Sequence, residues 1–511
     1  MYHKQLVNHV TKRLKEGVSA ETIHIELTKD GWSAGDIREA FYYSDFPEKL
    51  HRFSFRRLLR SEVPASVTIL LVSAIIVLAG LSFLFFGNKT LSYTINLPTS
   101  PSGQVFEFSY GEQPALSNPD FFGKVKRQFI EDKASFIEAD LSALIVRVYK
   151  EGELTIEVPI NTKGREGSWW ETPAGLYKIN KKEKEHFSSI GRVWMPWSMN
   201  FQGNFYIHGH AYYPDGTPTS STFTGGCIRL STEDAEKVFA AVETGTPVLV
   251  FEQSFHSDNF IYNNETGLTI SAPIYLAADL LNNQVFASQD STKEVPIASI
   301  TKLMTALIVT EYINLDNIAT VPAEAMVFTS KPRLAVGEQR SIYQLLFPLL
   351  MESSNEAAET IARYYGRENF IKHMNDKAAS IGMTRSRFAD PSGASGENIS
   401  TAEDLFMLTK YIYNNRSFIF KITSGKIESS AYGTSEFTNL TNLNDFVNEK
   451  FFFGGKNGKS TAALETNISV FEIPVGGGVG AKRPIVFIVL DSPDEKSDAK
   501  ELIDYTLKNF E

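Results

Sequence analysis

The sequence holds a single cysteine, Cys227, in 511 residues. No intramolecular disulfide can form, so the fold has to be held by its apolar cores. A lone cysteine is more often a small buried hydrophobe than a nucleophile, and only its neighbours can argue otherwise. The chain also lacks a basic block: its formal charge is -10, and no Lys/Arg-rich arm is present, which argues against nucleic acid as a partner. Internal repeats are absent. Hydrophobic residues make up 42% and charged residues 22%, a composition that excludes wholesale disorder. A chain of this length predicts several domains.

One long uncharged run is present, residues 63–86. At ~1.5 Å per residue it is long enough to cross a hydrocarbon core of ~30 Å as a helix. Arg52, Arg56, Arg57 and Arg60 precede it, and only Lys89 follows closely. The positive-inside rule places residues 1–62 in the cytoplasm and the rest outside, as a single-pass membrane protein. The segment before the run is too long for a signal-peptide n-region, so the chain is expected to stay anchored. Residues 1–62, with 11 Lys and Arg against 9 Asp and Glu, read as a small α-helical module. Ser19 and the Ser33/Asp36 pair supply capping patterns, and Ile23, Ile25, Leu27, Ile37, Ala40 and Phe41 supply an apolar face. Docking of a cytoplasmic partner and a mere folded leader both remain open.

Residues 87–134 read as linker and stalk, with Pro, Ser and Gly concentrated at 97–104 and a helix over 122–133. Residues 135–252 are strand-rich, as in Ala143-Leu-Ile-Val-Arg-Val-Tyr149 and the alternating Leu154-Thr-Ile-Glu-Val158. Residues 253–269 form a polar second linker. Residues 270–511 mix strands with clear helices.

Two clusters carry chemistry. The first joins Ile207-His-Gly-His210 to Thr224-Gly-Gly-Cys-Ile-Arg-Leu230. A cysteine nucleophile needs a base, usually histidine, and a Gly-Gly turn can present backbone N–H groups to an oxyanion. The competing bland reading is a buried Cys in a glycine turn. A zinc site of His208, His210 and Cys227 lacks a fourth ligand at usual spacing, so no metal is expected. The segment resembles the L,D-transpeptidase catalytic domain, also through Thr172-Pro-Ala-Gly175, Thr232-Glu-Asp-Ala235 and Gly245-Thr-Pro-Val248. That resemblance implies Cys227 as nucleophile, His208 as its base and Arg229 as partner of a substrate carboxylate. It departs at Gly225, where the family has His.

The second cluster is Ser299-Ile-Thr-Lys302, followed by Ser353-Ser-Asn355 and Gly455-Lys-Asn-Gly458. Positions three apart share a helix face, so the Lys302 amine can reach the Ser299 hydroxyl. Lys302 acts as a base only when neutral, which burial and a neighbouring cation would favour. Alone, Ser-x-x-Lys recurs by chance, and the bland reading is an N-capping serine. Together the three pieces match the signature of penicillin-recognising enzymes. The surroundings, Phe388-Ala-Asp-Pro-Ser-Gly393 and Ser400-Thr-Ala-Glu-Asp-Leu405 among them, resemble D-alanyl-D-alanine carboxypeptidases.

That resemblance implies an acyl-enzyme at Ser299 with Lys302 as base. It gives Ser353 a relay to the leaving amine, Asn355 the substrate amide, and Lys456 with Asn457 the substrate carboxylate. Asn457 departs from the family's Thr. The expected architecture is thus multidomain: the helical module, one transmembrane helix, a mainly-β L,D-transpeptidase domain and an α+β penicillin-binding, β-lactamase-like domain. The expected function is bifunctional peptidoglycan modification without a cofactor. Stem peptides would be the substrates and β-lactams the inhibitors. The alternative is a wall-binding scaffold with one or both sites degenerate.

Overall fold

A computed structural model describes residues 4–30 (except 17 and 19), the strand pair 94–96 and 107–109, residues 121–252 (except 166, 167, 169, 221 and 223) and residues 268–508 (except 427–429, 431 and 475–481). The expected membrane span at 63–86, the third N-terminal helix, the Ser19 and Ser33 caps, the linker at 97–104 and all but the last two residues of the linker at 253–269 lie outside the described residues. Among the described residues, no helix is long and apolar enough to cross a membrane.

The N-terminal unit contains helices α1 (Lys4–Lys15) and α2 (Ala20–Lys29). Leu6 and Val10 of α1 and Ile23 and Leu27 of α2 are buried, at the i, i+4 spacing that places two residues on one helix face. Arg13 bonds both carboxylate oxygens of Glu26, at 2.8 and 3.0 Å.

The second unit starts with a short antiparallel pair, β1 (Thr94–Asn96) with β2 (Glu107–Ser109). Helix α3 (Phe121–Glu131) follows. A β lobe then builds a five-stranded sheet in the order β5-β4-β3-β11-β6, from β3 (Phe136–Asp140), β4 (Ile145–Lys150), β5 (Glu153–Pro159), β6 (Gly175–Lys178) and β11 (Pro247–Phe251). A four-stranded sheet faces it in the order β10-β9-β8-β7, from β7 (Lys181–Ser188), β8 (Val193–Gln202), β9 (Phe205–His208) and β10 (Ile228–Arg229). Period-two alternation decides which residues go where. Ile137, Ala139, Val146 and Val148 meet Met199, Phe201 and Ile207 between the sheets, and Ala235 and Val238 of helix α4 (Thr232–Ala241) close that core. The alternate residues Phe136, Tyr149 and Leu249 bury Val125 and Phe129 of α3 on the other face. Tyr149 stacks on its cross-strand partner Phe136, with centroids 4.5 Å apart.

The main sheet of the α+β lobe is antiparallel and five-stranded, in the order β13-β12-β16-β15-β14. Its strands are β12 (Ile274–Asp279), β13 (Val285–Gln289), β14 (Phe452–Ser460), β15 (Leu464–Pro474) and β16 (Lys482–Ser492). Val486, Ile488 and Leu490 face a large helical core, whereas Ile485, Phe487 and Val489 pack on helix α11 (Glu495–Lys508). The helical core centres on α5 (Thr301–Tyr312), buried on all sides from Thr301 to Val309. A helix apolar all round belongs inside a layer of other helices. Those neighbours are α6 (Ile342–Met351), α7 (Asn355–Tyr365), α8 (Arg367–Ser380), α9 (Ala402–Asn415) and α10 (Phe418–Thr423). The chain is thus multidomain, with a β-rich part and an α+β part.

Candidate active sites

Ser299 lies in a 3-10 turn, Ala298–Ile300, that runs directly into α5. The preceding residue, Ala298, has φ 46°, a left-handed conformation that costs a non-glycine residue energy and has to be imposed by its surroundings. Gly393, at φ 82°, presses on it: a β-carbon there would stand 1.9 Å from Ala298 O. On the other side, a β-carbon at Gly458 of β14 would stand 2.6 Å from Ser299 N. The nucleophile's backbone is therefore clamped between two glycines.

Lys302, the second residue of α5, is fully buried. Its Nζ is 3.0 Å from Ser299 Oγ, 2.7 Å from Asn355 Oδ1 and 2.6 Å from Ser392 O. Burial, and then the charge of Lys456, push its pKa well below the usual lysine value. A neutral amine has two N–H donors and one lone pair. The Ser392 carbonyl only accepts. Asn355 turns its Oδ1 to Lys302, because its Nδ2 donates to Phe328 O at 2.8 Å. Both N–H groups of neutral Lys302 are thereby used, and the lone pair is left for the Ser299 hydroxyl proton.

Ser392 O is aimed by a turn that sequence reasoning quoted but gave no role. Asp390 Oδ1 accepts from Ser392 N at 2.7 Å and Gly393 N at 2.8 Å. Asn398 braces the turn, donating from Nδ2 to Asp390 O and to Thr301 Oγ1, each at 3.0 Å. The Asp-Pro-Ser-Gly stretch was the available signal.

Ser353 sits in the turn between α6 and α7 at φ 58°, and Ser354 caps α7 through Ala357 N. Lys456 is buried on β14, and burial lowers its pKa to about 7. Asn457 does not present its amide to this site. Its Nδ2 donates to Leu443 O at 2.8 Å and to Asp445 Oδ2 at 2.7 Å.

In the β lobe, β10 pairs in parallel with β9, which sets Arg229 beside His208. Both line, with Cys227, a cavity of about 440 Å³. His208 is buried and its Nδ1 is 2.6 Å from Gly209 O. A carbonyl only accepts, so Nδ1 carries the proton and Nε2 keeps its lone pair. Burial lowers the His208 pKa to about 4 and raises that of Cys227 to about 12. The thiol rests protonated among Met195, Ala211 and Tyr206, with Sγ 3.9 Å from Asn204 O. A preformed thiolate held by His208 is thus not the resting state, because neither ion is stable at that burial.

Gly226 has φ 99°, and a β-carbon there would meet Phe205 at 2.2 Å; Gly225 has open space around it. His210 turns away to Thr219 O at 3.0 Å. Among the described residues, no group of three His, Cys, Asp or Glu is arranged to hold a metal.

Sequence reasoning missed that residues of the α+β lobe line the Cys227 cavity, Glu311 and Tyr432 among them. No motif marks either residue. The two lobes also touch directly: Gln202 Nε2 donates to Glu311 Oε2 at 2.9 Å, and Lys377 Nζ donates to Tyr177 OH at 2.9 Å.

Comparison with known proteins finds a family match for each of the two lobes. Residues 261–470 match the D-alanyl-D-alanine carboxypeptidase family, and residues 134–250 match the L,D-transpeptidase catalytic domain. A D-alanyl-D-alanine endopeptidase of Pseudomonas aeruginosa is 40% identical over 141 residues, covering 26% of this chain and 44% of that protein. One from Escherichia coli K12 is 34% identical over 181 residues, covering 34% and 56%. A D-alanyl-D-alanine carboxypeptidase of Mycobacterium tuberculosis is 32% identical over 207 residues, covering 38% and 68%. The chain spans about half the length of the endopeptidases it matches. With two thirds of the mycobacterial protein covered at that identity, the chain belongs to the D-alanyl-D-alanine carboxypeptidase family and carries, ahead of that domain, a segment matching the L,D-transpeptidase catalytic domain.

Proposed function

We propose that the chain modifies peptidoglycan stem peptides at two acyl-transfer centres, a serine D,D-carboxypeptidase at Ser299 and a cysteine L,D-transpeptidase at Cys227. The observation that carries the reading is the three-way anchoring of Lys302, which leaves the lone pair of its neutral amine for Ser299. Ser299 Oγ attacks the carbonyl carbon before the terminal D-Ala while its proton passes to Lys302. The C–N bond breaks, and the departing amine takes a proton relayed from Lys302 through Ser353. Water then cleaves the ester, returning the proton to Ser299 through Lys302. Lys456, when charged, faces the substrate carboxylate, and Asn355 orients the substrate amide.

At the second centre the Cys227 proton passes to His208 Nε2 as sulfur attacks. The released amine takes that proton, and an acceptor amine resolves the thioester. Arg229 meets the donor carboxylate. The serine product, a tetrapeptide, is the donor that the cysteine centre uses, which gives the fusion a chemical reason. Residues 63–86 are proposed to anchor the chain, with 1–62 cytoplasmic. The uncharged run and the arginines ahead of it support that topology. Protease added to intact spheroplasts should remove the two lobes and spare residues 1–62. Protection of the lobes would sink the topology.

Mass spectrometry of stem peptides tests the relay. Wild type should carry pentapeptide through tetrapeptide to L,D cross-links or tripeptide. Ser299→Ala should do so only from tetrapeptide, and Cys227→Ala should stop at tetrapeptide. Pentapeptide passing to the later products in Ser299→Ala would overturn the relay. A second reading, a wall-binding scaffold with weakened sites, is favoured by one observation: the Asn457 amide is committed to Asp445. It predicts stem-peptide binding without either product.

A further inference from the structure

We infer that the carboxypeptidase lobe supplies one wall of the Cys227 site, with Tyr432 contacting and selecting the stem peptide bound there. The inference rests on the proposed reading of Cys227 and adds a specificity residue from the other domain.

Cys227, His208 and Arg229 line the cavity from the β lobe, and Tyr432, Asn314 and Leu315 line it from the α+β lobe. Tyr432 is also connected to the cysteine turn itself. The Trp170 ring meets the Tyr432 ring edge to face, with centroids 6.0 Å apart at 84°. The Trp170 carbonyl is pressed against that turn, since a β-carbon at Gly226 would stand 2.8 Å from Trp170 O. The contact thus runs from Tyr432 through Trp170 to the residue before the nucleophile.

Tyr432 is held firmly from its own side. It packs on the buried Tyr343 ring at 5.4 Å, and its backbone N donates to Ser430 Oγ at 3.1 Å. The seam below is closed by backbone contact, because a β-carbon at Gly203 would stand 2.2 Å from Glu311 O. Protein interiors packed this tightly transmit position rather than absorb it.

The lining suits a short peptide. Trp170, Met195, Phe205 and Leu315 offer apolar and aromatic surface, and Arg229 offers a cation for a terminal carboxylate. A rigid aromatic ring at such a wall contributes both apolar burial and shape, so it discriminates between peptides by their alkyl side chains.

The test uses the full chain carrying Cys227→Ala, which binds without turnover. Calorimetry with a stem tetrapeptide should show affinity falling roughly fivefold to tenfold on adding Tyr432→Ala or Tyr432→Leu, and restored by Tyr432→Phe. Labelling of Ser299 by a fluorescent penicillin, at the far end of α5, should be unchanged and serves as the folding control. Binding that ignores Tyr432 overturns the inference alone. Tyr432-dependent binding with no Cys227-dependent product in the otherwise wild-type chain overturns the catalytic reading and leaves the wall standing. No binding by Cys227→Ala overturns both.

Discussion

Gln202 closes β8 in one lobe and donates 2.9 Å to Glu311, the penultimate residue of α5 in the other. The same helix carries Lys302 in its first turn and ends against the Cys227 cavity. One buried helix, about 18 Å long at ~1.5 Å per residue, therefore separates the two nucleophile sites. Glu311 also meets Lys377 at 2.9 Å, Tyr411 OH at 2.7 Å and Arg416 at 3.6 Å. Burial opposes its charge, but Lys377 and then Arg416 outweigh it and hold Glu311 ionised.

That junction predicts a large loss on disruption. Glu311→Ala leaves Lys377 and Arg416 buried without their carboxylate, a change expected to cost about 3–5 kcal/mol. Differential scanning calorimetry should show a lowered transition that splits in two as the lobes uncouple. A melt indistinguishable from wild type would show that the cluster does not hold the lobes together.

The Ser299 site should follow its lysine. Ser299→Ala should abolish covalent penicillin labelling, and Lys302→Ala should slow it by about 10²–10⁴-fold. Rapid labelling in Lys302→Ala would point to another base.

The pH profile for D-Ala-D-Ala peptides should have its optimum at or below neutrality. Lys302 has to lose its proton, and burial lowers its pKa, so the rising limb is displaced to low pH. Lys456 has to keep its proton to face a carboxylate, and with its pKa lowered to about 7 that charge disappears above neutrality. Lys456→Arg stays charged and should move the falling limb of kcat/KM to higher pH. An unmoved limb would remove Lys456 from carboxylate recognition.

Cys227 should react selectively. With its pKa raised to about 12, the resting thiol should alkylate with iodoacetamide more slowly than free cysteine at neutral pH. A carbapenem seated in the cavity should still acylate it, and His208→Ala should stop that acylation. Fast iodoacetamide reaction would mean that a thiolate is present at rest.

The two glycines before Cys227 should separate. Gly226→Ala places a methyl against Phe205 at positive φ and should destabilise the turn by about 1–3 kcal/mol and silence the thiol. Gly225→His enters open space, so its melting temperature should match wild type and its carbapenem acylation should rise. Loss of fold in Gly225→His would contradict the open geometry at that position.

The sequence by itself determined the local elements and the chemical vocabulary. Alternation in Leu154–Val158 lies within β5, and the apolar run after Lys302 is α5, because period and turn residues act over a few neighbours. Ser299 and Lys302 were legible as a pair, since one helical turn fixes their approach. Only the tertiary structure decided the protonation states of Cys227 and His208, which depend on how completely distant strands exclude water. It also decided that Asn457 turns to Asp445, and that Glu311 and Tyr432 complete a cavity begun some 100 and 200 residues earlier in the chain. Those relations arise when surfaces far apart in sequence meet, and no local pattern encodes them.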